Sequence, residues 1–246
     1  MGLSVEWRRA AVSVVAAVAF GATAWWAAGG EADAFVPVAP PESIHFAMKQ
    51  NLELIGDWLA DKDPTSAAET AEGLAILAQM YSRSGDAEWR ERVAKLRATI
   101  EQLGKQAAAK DIEAAQQSLK ECVRLVGQLP KAPGGRNSAT ADPIRPAPTK
   151  AVMKLMDGAY SDAKATRSLK EFEHLAYTVA ETANFASHLR SDARWRSAAG
   201  EVRDAVAAVA RSAADKGLQA ARAELKNVYQ RCEACHRAYK REGSRQ

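Results

Sequence analysis

The stretch "LQAARAELKNVYQRCEACHRAYKRE" (218–242) decides the architecture of this chain. Its apolar residues fall at Leu218, Ala221, Leu225, Val228, Cys232 and Cys235, in alternating steps of three and four. That spacing keeps side chains on one stripe of an α-helix and describes a helix that buries a single seam against partners. Such a helix is not stable alone in water, so the pattern demands a bundle. One hundred and six residues earlier, Ile112, Ala115, Leu119, Cys122, Val126 and Leu129 repeat the seam. The pattern predicts Cys122 to be a small buried hydrophobe, and Cys232 and Cys235 to face the inside of their bundle.

The repetition extends beyond this helix. "DAEWRERVAKLR" (86–97) matches "DARWRSAAGEVR" (192–203) at the same offset through Asp86/Asp192, Trp89/Trp195, Arg90/Arg196 and Arg97/Arg203. Met48-Lys49 matches Met153-Lys154 at an offset of 105. Agreement sustained this far reads as an internal duplication of a unit of about 90 to 100 residues. Each unit divides into four helical stretches, predicted at 43–60, 65–83, 87–104 and 110–129, then at 149–163, 167–189, 193–214 and 217–241. Asp63-Pro64 is an N-cap followed by proline at the first helical position; Asp86 and Asp192 are caps before their tryptophan helices; Gly104 is expected near a helix end. "PKAPGGRNSATADPIRPAPTK" (130–150), with five prolines, reads as a semi-extended linker. No segment alternates with period two, so no sheet is expected. The expectation is an all-α chain of two tandem antiparallel four-helix bundles after an N-terminal signal or anchor helix. Its parts are 1–34 (signal or anchor), 42–130 (first bundle), 131–148 (linker) and 149–242 (second bundle).

Composition narrows the function. The chain of 246 residues is 47% hydrophobic and 26% charged with a net charge of +4, its basic residues interleaved with acidic ones. No concentrated basic face with stacking aromatics is present in the sequence, which argues against nucleic acid as a partner. The basic "HRAYKREGSRQ" (236–246) reads as a solvated helix end that complements the C-terminal dipole. Arg8 and Arg9 precede an apolar run from Ala10 to Ala28, and Ala32-Asp33-Ala34 offers a small-x-small cleavage site before Phe35. The run is as long as the shortest membrane spans, and Trp25 and Trp26 suit a membrane interface. Two outcomes stay open: a cleaved export signal, or a membrane tether through residues 10–28. Both put the body of the protein in the periplasm or otherwise outside the cytoplasm. Three cysteines, two local and one remote, imply no disulfide framework.

The chemistry is concentrated in Cys232-Glu233-Ala234-Cys235-His236. Positions i, i+3 and i+4 share one face of a helix. Two thiols there can add to the two vinyl groups along one edge of a haem, and the adjacent imidazole can bind the iron. Structural zinc needs a fourth ligand and a second ligand pair, and Cys122, His45, His174 and His188 show no such pairing. A dithiol redox site lacks the strand–helix context of thioredoxin-like folds. Covalent haem attachment is the reading the spacing favours, and export agrees with it.

"AVMKLMDG" (151–158), "DARWRSAAGEV" (192–202) and "CEACHRAYKRE" (232–242), in this order, resemble the cytochrome c prime family and its low-spin, methionine-ligated relatives. The resemblance spans 148–242 and, through the duplication, more weakly 42–130. It implies exported four-helix-bundle cytochromes with one haem c near the end of the last helix. Cys232 and Cys235 would hold the haem and His236 would be the proximal iron ligand. Met153 would be the distal ligand, with Met156 as a backup on nearly the same helical face and His174 as a remoter candidate. Lys240 would stand near the haem, where the family more often has arginine.

In the first half, Val126, Leu129 and Pro130 occupy the positions of Cys232, Cys235 and His236, so that copy is expected to carry no covalent haem. Family members pair as dimers, and the fused copy is expected to take the place of a second subunit, as a pseudo-dimer or within a homodimer. The function expected is electron transfer by a monohaem cytochrome, not catalysis, with an unidentified redox protein as partner. The alternative is a five-coordinate haem protein that binds nitric oxide or carbon monoxide.

Overall fold

The computed structural model describes residues 35–83, 85–130 and 144–243, with side chains as far as residue 233. The segment 1–34, read as a signal or anchor, and most of the linker lie outside the described residues. Phe35 opens the compact unit that runs to the C-terminus. Among the described residues there are eight α-helices and no strand: α1 Pro41–Ala60, α2 Pro64–Ser82, α3 Ala87–Ala108, α4 Ile112–Gln128, α5 Thr149–Ala165, α6 Leu169–Ser187, α7 Ala193–Lys216 and α8 Leu218–Gly243. None of them is long and apolar enough to cross a membrane.

The caps set the helix starts. Asp63, Asp86 and Asp111 accept from the backbone N–H groups of Ser66, Trp89 and Ala114 at 3.0, 2.9 and 3.1 Å. Asp192 accepts from Arg194 and Trp195, and Ser168 from Glu171. Each satisfies a donor left free by the first helical turn, worth about 1 kcal/mol. Gly217, at φ 79°, makes the one-residue turn between α7 and α8, a conformation that glycine adopts without strain. Gly104 is not at a helix end. α3 continues to Ala108, and a Cβ at Gly104 would meet that of Ala71 at 3.5 Å, an ordinary van der Waals contact, so the packing on α2 does not require glycine here. A glycine inside a helix costs about 1 kcal/mol relative to alanine.

α1 packs on α2 and α4, α2 on α3, and α3 on α4, closing a four-helix bundle. α5, α6, α7 and α8 pack in sequence. The two sets meet reciprocally, α1 on α6 and α2 on α5, so that the first helix of each set lies on the second helix of the other. That is the contact pattern of an isologous interface. The seam residues behave as their spacing predicts: Ala115, Cys122, Val126, Ala221, Leu225 and Val228 are buried. Burial pushes the Cys122 thiol up to about 12, so it stays protonated and packs as a small apolar group.

An apolar cluster runs across the contact between the sets, and polar pairs accompany it. Ser43 Oγ pairs with His174 Nδ1 at 3.0 Å, Gln50 donates to Glu171 at 3.3 Å, and Lys150 and Lys154 both reach Glu69. A strap of residues 35–40 lies along α6. Phe35 packs its ring on Phe185 and His188, with Arg83 over its face. The backbone N–H groups of Val38 and Ala39 donate to Glu181 Oε2 at 2.7 and 3.0 Å, and Asn184 donates to the Val36 carbonyl. Glu181 is 1% exposed and its Oε1 has no hydrogen-bond partner. Burial pushes its carboxyl up to about 7; the strap N–H groups, Asn184 and Arg203 offset this only in part.

Candidate cofactor site

A narrow apolar cavity of about 40 Å³ lies between α5, α6, α7 and α8. From α5 it is lined by Met153 and Met156, and from α8 by Cys232. The walls between them are small: Ala183 and Ala186 on α6, and Ala198, Ala199 and Val202 on α7, with Trp195 at one edge. Two expected site residues, Met153 and Cys232, are therefore brought to one space. The backup Met156 stands beside them. Cys235, His236 and Lys240 lie on the same helix as Cys232, with their side chains outside the described residues. His174 is turned elsewhere: its ring is stacked on Phe46 at 5.0 Å and its Nδ1 faces Ser43. Burial, reinforced by Lys170, lowers its pKa.

The first half gives an internal comparison. The Trp89 indole N–H donates to the Tyr81 carbonyl at 2.7 Å, and the Trp195 indole N–H donates to the Ala186 carbonyl at 2.6 Å. The same bond thus recurs with Tyr81 in the place of Ala186, an offset of 105 on α2 and α6 against 106 on α3 and α7. In this register Met48 stands for Met153, Val93 for Ala199, Leu96 for Val202 and Val126 for Cys232, and all four first-half residues are buried. Tyr81 is the largest change. Its ring lies 4.5 Å from that of Trp89 and 5.9 Å from that of His45, and its hydroxyl donates to the Pro130 carbonyl. His45 Nε2 meets the Val126 carbonyl at 3.1 Å. The space that alanine leaves in the second half is filled in the first by an aromatic side chain that also ties down the end of α4.

The helices around the cavity also differ between halves. α1 packs directly on α4. Among the described residues α5 and α8 have no comparable backbone contact, and what joins them is Tyr160 stacked on Tyr229 at 5.3 Å, with Lys164 over the Tyr160 ring. A flat macrocycle is far larger than the present cavity. To admit one, the side chains that line the cavity must move apart. The donor set fits a haem: thioethers on one side, a thiol on the other, apolar walls, and no charged group lining the space.

Sequence reasoning missed the alanine walls, Tyr81 and His45. The signal was the substitution of Ala186 and Ala199 by Tyr81 and Val93, which becomes visible once the register changes from 105 to 106 between the second and third helices of each half. Among the described residues, no three or more His, Cys, Asp or Glu side chains are grouped to hold a metal ion. Scans against protein-family models, curated proteins and solved structures match nothing to this chain.

Proposed function

We propose that this chain is an exported c-type cytochrome that carries electrons, with one haem c held in its second half. Cys232 and Cys235 would bind the porphyrin through thioether bonds. His236 and Met153 would bind the iron, and Lys240 would add positive charge nearby. When bound, haem supplies a reversible one-electron couple. The protein's residues do the rest. The small side chains of α6 and α7 leave room, Trp195 closes one edge, and the apolar walls exclude water, so that little solvent reorganises when charge changes. The observation that carries this reading is the apolar cavity shared by Met153 and Cys232, at the helix bearing the CEACH motif, where the first half has Tyr81 instead.

The first half is, on this proposal, a duplicated copy without a cofactor that covers α5 and α6 in place of a second subunit. Residues 1–34 direct export and either are removed or remain as a tether. Electrons pass to or from a redox protein outside the cytoplasm.

The test is maturation of the full chain in a bacterial periplasm with haem-attachment machinery. The expected product carries one covalent haem by intact mass and pyridine haemochrome. Its reduced spectrum is low-spin and unaffected by carbon monoxide. Immediate carbon monoxide binding would replace electron transfer with the gas-binding reading. A colourless product would overturn both.

A further inference from the structure

The two halves differ by one residue in the loop that precedes the tryptophan helix. Four residues separate Ser82 from Ala87, and five separate Ser187 from Ala193. The longer loop carries Arg190, whose guanidinium carbon lies over the Trp195 ring, 4.6 Å from its centroid. In the first half the loop arginine, Arg83, lies over the Phe35 ring, 5.3 Å from its centroid. Trp195 is 5% exposed and lines the cavity that Met153 and Cys232 share; Arg190 is exposed and does not line it. Among the described residues, a guanidinium over the tryptophan of this loop–helix junction is therefore seen in the half with the CEACH motif.

We propose that Arg190 is a positioning charge that raises the reduction potential of the cofactor held beside Trp195, a role that rests on the cytochrome reading. The reasoning is electrostatic. Oxidation of an iron centre adds one positive charge, and a nearby cation disfavours that state. The indole face holds the guanidinium at a set distance, which a free surface arginine would not keep. Guanidinium does not titrate in the physiological range, so its influence is constant with pH. Other charges are close. Asp192 is occupied as the cap of α7, accepting from Arg194 and Trp195, and Arg194 and Arg196 are exposed cations on the first turn of that helix. Arg190 lies over the ring itself, 4.6 Å from its centroid.

The experiment is spectroelectrochemical titration of the mature holoprotein as wild type, Arg190→Gln, Arg190→Lys and Arg196→Gln. Arg190→Gln is expected to lower the equilibrium constant for reduction about threefold, roughly 30 mV for a one-electron couple. The loss should shrink in molar salt, where screening acts over about 3 Å. Arg190→Lys should retain most of the wild-type value. Arg196→Gln, which removes the same charge away from the ring, should change the constant by less than half as much. Absorption spectra should stay unchanged, which separates a potential effect from a change of ligand. Equal potentials for Arg190→Gln and wild type, or equal losses from Arg190→Gln and Arg196→Gln, would overturn this role and leave the cytochrome reading intact. A chain that matures without haem would overturn both.

Discussion

Replacing Glu181 with glutamine should make the protein more stable at pH 8 and remove much of its sensitivity to pH between 5 and 8. Glu181 is buried under the 35–40 strap, one oxygen accepting two backbone N–H groups and the other without a partner. Its carboxyl is raised from an ordinary 4.5 to about 7. A carboxyl whose folded pKa is raised holds its proton more tightly in the folded state. Its contribution to stability is complete below about pH 4.5 and is lost as pH rises through 7. A displacement of that size corresponds to about 3 kcal/mol between the two ends of the window. Glutamine keeps the acceptor for Val38 and Ala39 and carries no charge at any pH. The assay is urea unfolding of wild type and Glu181→Gln at intervals from pH 4.5 to 8.5. The difference between the two cancels His174, whose lowered pKa acts with the opposite sign below pH 6.5. The expected outcome is a Glu181→Gln advantage that grows from near zero in acid to about 3 kcal/mol, or roughly 1 M in urea midpoint or more. A difference that stays flat across the range would refute the buried-charge argument.

Five more substitutions bear on the site and on its first-half counterpart. Tyr81→Phe should cost about 1 kcal/mol through the lost hydrogen bond to Pro130, and Tyr81→Ala about 3 to 5 kcal/mol through the cavity left, both by denaturant midpoint. Ala186→Tyr transplants the first-half side chain into the second-half cavity. It should leave helical circular dichroism unchanged while cutting covalent haem per chain at least tenfold, as read by haemochrome. Met153→Ala should turn the reduced holoprotein from insensitive to carbon monoxide into one that binds it, and Met156→Ala should not; the reverse result would transfer the ligand role to Met156.

Much of the fold was legible because bundles are specified locally. The three-and-four seam of α8, the aspartate caps and the repeated Asp-x-x-Trp depend on neighbours a turn away, and the structure has each where its spacing predicts. Gly104 misled because glycine often marks a helix end, whereas α3 runs on to Ala108 and the chain turns out of it at Lys110, at φ 61°. The strap could not be read, since Glu181 and the amides of Val38 and Ala39 are more than 140 residues apart. At the site, the motif supplied Cys232, and Met153 came only from the family resemblance. The cavity walls were hidden among the many alanines of the chain until the two tryptophan hydrogen bonds aligned one half on the other.

The reciprocal packing of α1 on α6 and α2 on α5 occurs within one polypeptide, across a connection of residues 129–148. Subunits that must find each other in dilute solution need a dissociation constant below their own concentration. A tether of this length holds its ends at an effective concentration on the order of millimolar. Millimolar association asks only about 4 kcal/mol of the contact, several kcal/mol less than a nanomolar dimer requires. An imidazole on a serine hydroxyl, an amide on a carboxylate and a buried glutamate with an idle oxygen are groups such a contact can carry without falling apart on dilution. One chain also frees its halves from being identical. A side chain suited to one face, such as Tyr81 or Arg190, need not be tolerated on the other.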